Sequence, residues 1–344
     1  MPIPTPRTIT FLANPLSRRV KRHASRVRTH GEAVAGKDGY CEASKPDAMA
    51  DFLAPYTWGP DDLLCVAGGD GTIHGVLTAL ERQHPRGPWP RIAAAPGGTT
   101  NMTVKDFGPP LSLTAYLEAL RGWLEAGRGA EPPTTAPPFA PLVGPAAGSG
   151  RFVSRPVVTV ARPSAPPLAG MFFGAGAVSA GVDFFDRRLK PLGIPEAVGS
   201  PLAIARVLAS LALGGHAIDA MAPEMEIRFE EEAASSRPTV FTLVSSLHRL
   251  IVGARAYWGT EEGPMHVTLV DKGARDIFRS IPRLARGEPG DRLTPERGWR
   301  SRNAHRITLA FDGPYIIDGE LYRARAADGP LEISTLRSVD WWMP

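Results

Sequence analysis

Asp62-Leu63-Leu64-Cys65-Val66-Ala67-Gly68-Gly69-Asp70-Gly71-Thr72 passes from an apolar run into a glycine cluster within a few positions. The apolar run predicts a buried strand, and Ile73, Val76, Leu77 and Leu80 then fall at the period of an amphipathic helix. A buried strand that passes through glycine into a helix is the first half of a β-α-β unit, whose strands run parallel. Upstream, Thr8-Ile9-Thr10-Phe11-Leu12-Ala13 reads as another strand, ended by Asn14-Pro15, and the basic stretch from Arg18 to Arg28 reads as helical. Downstream, Arg91-Ile92-Ala93-Ala94-Ala95 repeats the strand pattern and closes on Pro96-Gly97-Gly98, and Leu113 to Trp123 reads as a further helix. The first 125 residues therefore predict an α/β domain on a parallel sheet. Ligand-binding loops are expected at the carboxyl ends of its strands.

The composition then changes. Residues 127 to 170 are crowded with proline, glycine and alanine, including Pro132-Pro133, Pro137-Pro138 and Pro166-Pro167, as expected of a connection carrying short strands. From about 150 to 317 the signals are of β type: Val157 to Val160, Val240 to Val244, His266 to Val270 and Arg306 to Phe311. They predict an antiparallel β domain, interrupted by helices near 201–213 and 274–286. The expected division is an α/β domain over 1–128 and a β-sandwich domain over 129–320, with 321–344 packing back on the first. A prior of ~150 residues per domain agrees with two domains. Glu230-Glu231-Glu232 is expected in a solvated loop.

The 36 glycines and 35 prolines are a rich supply for 344 residues, but they show no period, so a collagen-like chain is excluded. Lysine and arginine number 39 against 35 acidic residues, a net charge of +4. A nucleic-acid partner calls for more clustered positive charge, so none is expected; a nucleotide or an anionic surface fits better. Cys41 and Cys65 cannot build a disulfide framework, and a reducing, cytoplasmic setting follows as the expectation. Met1 to Arg7 has no apolar core of a secretory signal, and no run approaches the ~18 apolar residues of a membrane span. Gly31-x-x-x-x-Gly36-Lys37 mimics a phosphate loop, but Asp38 stands where serine or threonine is needed. The eight histidines show no ligand spacing, so no zinc is expected.

Glycines after a buried strand let backbone amides approach phosphates, and the following helix N-terminus adds its dipole at the same point. Asp70 would repel a bare anion. It makes sense if it handles Mg²⁺ or accepts a proton from an attacking hydroxyl; as an isolated turn, Gly-Asp-Gly fits a helix N-cap equally. Pro96-Gly97-Gly98-Thr99-Thr100-Asn101 supplies further backbone donors, two hydroxyls and an amide, and a parallel sheet sets it beside the first turn. A third piece, Asp318-Gly319-Glu320, follows a β run and on its own is a hairpin turn.

The order and spacing of these three motifs resemble the diacylglycerol kinase catalytic-domain family, which includes bacterial lipid kinases, sphingosine kinases and ceramide kinases, with NAD kinases more distant. Asn14-Pro15, Glu262-Gly263-Pro264-Met265 and the segment from Ile277 to Gly287 extend the resemblance. It implies a nucleotide-binding α/β domain, a β-sandwich domain that takes the lipid, and ATP in the cleft between them. The activity it implies is Mg²⁺-dependent transfer of the γ-phosphoryl group to the primary hydroxyl of a long-chain lipid. Diacylglycerol or ceramide leads, with sphingoid bases and monoacylglycerol behind. The alternatives are a kinase of a soluble substrate, as in NAD kinases, and a non-catalytic lipid- or nucleotide-binding homologue.

By the resemblance, Gly68, Gly69, Asp70, Gly71 and Thr72 hold the phosphates with Gly98, Thr99 and Asn101 alongside, Asn14 lines the nucleotide pocket, and Ser44 matches a family threonine. Glu320 resembles the general base of the bacterial members, and Asp70 the residue given that role in sphingosine and ceramide kinases. Asp70, Asp318 and Glu262 are the carboxylates it offers to Mg²⁺. Arg18 replaces a family glycine, Gly174 an asparagine and Glu262 an aspartate. Transient peripheral contact with the inner face of the membrane is implied, and Arg18, Arg19, Lys21, Arg22, Arg26 and Arg28 offer charge for that surface or for nucleotide. Trp341-Trp342 reads either as an interfacial anchor or as packing onto the first domain. The stripe of Leu202, Ile204, Val207, Leu208 and Leu211 reads as core or as lining of the lipid cleft. A homodimer is left open.

Overall fold

A computed structural model describes residues 8–108, 111–126, 131–134, 150–184, 187–188 and 221–344. Backbone contacts divide the chain into a first unit, up to Val157 together with Arg337–Pro344, and a second unit, Val158–Leu336.

The first unit runs β1 (Ile9–Ala13), α1 (Arg18–Arg22), α2 (Ala24–Ala35), β2 (Tyr40–Glu42), α3 (Pro46–Leu53), β3 (Leu63–Gly68), α4 (Asp70–Gln83), β4 (Arg91–Pro96), α5 (Met102–Phe107) and α6 (Leu113–Glu125). The strands are parallel in the order β2-β1-β3-β4. Residues 337–343 add a further parallel strand beside β4, with Trp341 opposite Ile92. Every residue of β3 is buried, as befits a strand covered by helices on both faces. Ile73, Val76, Leu77 and Leu80 are buried, as their spacing predicts. Helix α4 starts at Asp70, so Asp70-Gly71 is its first turn and not a loop ahead of it. His23 splits the basic stretch into two helices; Val20 and Val27 face inward while Arg18, Lys21, Arg22 and Arg26 are exposed.

Trp341 and Trp342 are 0% and 1% exposed. Trp341 lies 5.2 Å from the Phe107 ring, and Trp342 meets Tyr116 edge-on at 5.2 Å. The Tyr116 hydroxyl donates to the Trp342 carbonyl at 3.0 Å. Such burial excludes the interfacial anchor: Trp342 shares the first unit's core with Phe11, Leu63, Leu117 and Phe152, and Trp341 is buried against Phe107.

After β5 (Glu131–Thr134), β6 (Arg151–Arg162) carries the chain from the first unit into the second. The second unit continues with β7 (Ala165–Gly170), β8 (Phe172–Gly176), α7 (Ala177–Phe184), β9 (Glu224–Phe229), β10 (Ser235–Ser245), β11 (Met265–Asp271), α8 (Ile277–Arg286), β12 (Trp299–Ala304), β13 (Arg306–Ala310), β14 (Gly313–Ile317), β15 (Glu320–Ala324) and β16 (Leu331–Met343), the last ending in the first unit. An antiparallel sheet runs β15-β14-β8-β10-β11-β12. The opening residues of β10 pair instead with β9, which continues to β13 and β16. A register shift between Thr239 and Phe241 lets one strand serve both sheets. Phe173, Val267, Ile307, Leu309 and Tyr315 belong to the shared core. The fold class is thus the expected one, an α/β unit on a parallel sheet followed by antiparallel β structure.

The expected boundary at 128/129 and return at 321 compare with observed divisions at 157/158 and 336/337, both inside continuous strands. Glu230 to Glu232 do more than face solvent: Glu230 accepts the His305 amide at 2.8 Å and Glu232 holds Arg302 at 2.9 Å. The helix expected near 201–213 with its apolar stripe, and much of the proline-rich connection, lie outside the described residues. Cys41 and Cys65 are free thiols. Among the described residues no helix is long and apolar enough to cross a membrane. Trp342→Ala is expected to destabilise the protein by about 3–5 kcal/mol, the range for truncating a core aromatic, read as a lower urea midpoint.

Candidate active site

Strands β3 and β4 stay in register from Leu63 opposite Arg91 to Gly68 opposite Pro96. They end at the same level, so their glycine turns meet. The Gly97 and Gly98 amides both donate to the Gly68 carbonyl, at 2.8 and 3.0 Å. A β-carbon on Gly98 would lie 2.5 Å from the Gly69 Cα, and one on Gly68 would lie 2.5 Å from the Thr72 side chain. Glycine is needed at Gly98 because backbone touches backbone there, and at Gly68 because the Thr72 side chain fills the space. The Arg19 amide donates to the Gly97 carbonyl at 2.8 Å, which docks α1 on the second turn.

The predicted polar residues tie these turns together. Asn14 Nδ2 donates to Thr72 Oγ1 at 2.8 Å, joining the end of β1 to the first turn of α4. Asn101 is 1% exposed, and its side chain both accepts from the Gly98 amide at 2.8 Å and donates to the Gly98 carbonyl at 2.9 Å. Asp70 accepts the Met102 amide at 2.9 Å and the Thr103 amide at 3.1 Å. Gly69, Asp70, Gly71 and Thr99 are half-buried and remain within reach of a ligand. Ser44, also half-buried, follows β2 at the same edge of the sheet, where the Ala43 amide donates to the Ala13 carbonyl at 2.9 Å. Amides at the start of α4, with its dipole behind them, and the adjoining turns form a cradle suited to phosphate.

Helix α5 is held at its other end by an ion pair between Asp106 and Arg155 at 3.4 Å, with both side chains almost fully buried. Burial pulls the Arg155 guanidinium below its ordinary value, and the Asp106 carboxylate works against that fall.

In the second unit, Asp318 and Gly319 form the two-residue turn between β14 and β15, with φ of 48° and 92°. Two consecutive left-handed residues make the turn that best matches hairpin twist. Asp318 is 5% exposed. Its carboxylate accepts the Met171 amide at 2.9 Å and the Phe172 amide at 2.9 Å, so it holds two backbone amides just as Asp70 does. Glu320 opens β15 and is exposed, as is Glu262 ahead of β11. Gly174 lies in β8, where a β-carbon would meet the Val178 side chain at 2.8 Å, so asparagine there would require that side chain to move. Among the described residues no three His, Cys, Asp or Glu gather as a metal cage. Mg²⁺ does not require one, because it is commonly held by one or two carboxylates with phosphate oxygens and water.

An α/β unit with a phosphate-compatible cradle, followed by antiparallel sheets, defines the class. Residues 8–127 match the model of the diacylglycerol kinase catalytic domain. A solved structure described as a diacylglycerol kinase from Bacillus anthracis str. Sterne is 13% identical, with 96% of this chain and 94% of that chain covered and a TM-score of 0.58. Another from that organism, described as a candidate diacylglycerol kinase, is 14% identical over 96% of this chain and 92% of that chain, also with a TM-score of 0.58. At these identities the likeness is one of fold. No curated protein matches the chain. The resemblance carried by the motifs is therefore shown over the catalytic-domain segment and in the fold.

Gly98→Ala drives a β-carbon into the facing turn and is expected to cost about 1–3 kcal/mol. Gly122, in α6, has open space around its Cα; Gly122→Ala is expected to be neutral or stabilising by about 0.4–1 kcal/mol. Chemical denaturation of the two variants checks the contrast.

Proposed function

We propose that this protein is an ATP- and Mg²⁺-dependent lipid kinase that phosphorylates the primary hydroxyl of diacylglycerol or ceramide. The observation that carries the reading is the interlocked pair of glycine turns at the ends of β3 and β4. The catalytic-domain match over residues 8–127 supports it. Amides of the α4 start would hold the phosphates and stabilise charge on the transferring group, while those of Gly97 and Gly98, taken by the Gly68 carbonyl, hold the second turn beside them. Of the carboxylates offered to Mg²⁺, Asp70 stands at these turns; Mg²⁺ held there with phosphate oxygens would supply charge neutralisation. The hydroxyl proton would pass to a carboxylate, Glu320 or Asp70, an effect commonly worth ~10²–10⁴-fold in rate.

Contact with a membrane's inner face fits the exposed Arg18, Lys21, Arg22 and Arg26 and the neighbouring Leu16, which is 71% exposed. Each cation near an anionic surface contributes about 1 kcal/mol.

The test is a mixed-micelle panel of diacylglycerol, ceramide, sphingosine and monoacylglycerol, with NAD as a soluble acceptor, using radiolabelled ATP and chromatography of the products. Labelled phospholipid from diacylglycerol or ceramide, abolished by EDTA and reduced ~10²–10⁴-fold in Glu320→Gln or in Asp70→Asn, is the expected result. Label on NAD alone, or ATP binding with no labelled lipid, would overturn the reading.

A further inference from the structure

Helix α5 begins without a cap of its own. The residue before it, Asn101, is left-handed at φ 47° and makes no side-chain cap. Its amide group is spent instead on the Gly98 backbone, at 2.8 and 2.9 Å. The start of a helix presents amides that no carbonyl within the helix can accept. Here Met102, Thr103 and Val104 are all buried, so another acceptor must come from the protein. Asp70, more than thirty positions earlier in the sequence, supplies it. Oδ2 takes the Met102 amide at 2.9 Å and Oδ1 takes the Thr103 amide at 3.1 Å.

The consequence reaches the phosphate cradle. The turn from Pro96 to Asn101 has β4 at one end and α5 at the other. Its approach to Gly68 and Gly69 is close enough that a single methyl would break it. The register of β4 fixes one end; the Asp70 carboxylate fixes the other. Asp70 is itself the first residue of α4, so one side chain ties the helix behind the first turn to the helix behind the second. Each oxygen holds one amide, and taking up a hydroxyl proton would disturb the cap at the moment the cradle must hold the phosphates still.

We propose that Asp70 is a positioning residue, the cap of α5 that sets the second glycine turn against the first, and that the substrate's hydroxyl proton goes to another group. The catalytic half of this inference rests on the lipid-kinase reading, whereas the cap exists without substrate.

The experiment compares wild type, Asp70→Asn and Asp70→Ala by hydrogen exchange and mass spectrometry, without nucleotide and in EDTA. ATP titration and steady-state kinetics across pH follow on the same samples. Exchange over Met102–Phe107 is expected to quicken by about tenfold to a hundredfold in Asp70→Ala, as for loss of hydrogen bonds to a charged acceptor. Exchange over β3 stays unchanged. The KM for ATP rises in both variants, and the residual kcat keeps the acid limb of the wild-type pH profile. Asp70→Asn retains one carbonyl oxygen and should recover part of the protection, which also serves if the alanine variant folds poorly. Unchanged exchange and ATP affinity, with the acid limb of kcat lost, would overturn the proposal and make Asp70 the proton acceptor. A wild type with no turnover on any lipid would remove the kinase reading, while faster exchange in the variants would still uphold the cap.

Discussion

The carbonyl of Gly68 accepts two amides, from Gly97 and from Gly98, and the first unit is arranged around that contact. Two parallel strands ending at one level bring their following turns into collision unless side chains are absent. With glycine at these positions the backbones close to hydrogen-bonding distance, and each turn becomes a wall of the other. The starts of α4 and α5, the left-handed Asn101 and the docking of α1 through Arg19 all follow from keeping that approach intact. A cradle made of main chain has the virtue of stiffness: its donors are placed by the sheet and not by rotatable side chains.

A related device recurs in the second unit. Asp318, at the tip of a hairpin, receives the amides of Met171 and Phe172 where β7 gives way to β8. Both motif aspartates therefore use a short carboxyl side chain to fasten a distant stretch of backbone. Hydrogen bonds to charged acceptors are worth about 1.5–3 kcal/mol each, enough to hold a turn that propensity alone would leave loose. An acidic residue in a glycine motif thus has work beyond chemistry, and Glu320, exposed two residues after Asp318, is the carboxylate of that motif that faces solvent.

Much of the first unit was legible because its signals are local. The apolar runs at β1, β3 and β4 and the spacing of Ile73, Val76, Leu77 and Leu80 identify a parallel α/β arrangement without any long-range information. The three motifs were legible for the same reason, each being a few consecutive residues. What one sequence could not show is which remote groups they hold. Asp70 gives no sign that its partners are the amides of Met102 and Thr103, and Asn101, an ordinary N-cap residue by type, conceals that α5 takes its acceptor from elsewhere. The domain boundary escaped because it falls inside β6, where a strand passes between units with no change in composition. The register shift that lets β10 join two sheets leaves no signature in Thr239-Val240-Phe241 either.

Trp342 shares a core with Phe11 and Tyr116, and 226 residues separate Tyr116 from the carbonyl its hydroxyl reaches. On the ribosome, the first unit would have its parallel strands and glycine turns long before the residues that close its hydrophobic interior have been made. The second unit, continuous from Val158 to Leu336, is synthesised in that interval and can fold while its predecessor is still open. Domains that fold during synthesis generally do so from the N-terminus onward. In this chain the two units are interleaved in synthesis: the one that carries the phosphate cradle is begun before the other and receives its closing strand after it, so a nascent protein would lack that strand until residues 337–343 had emerged.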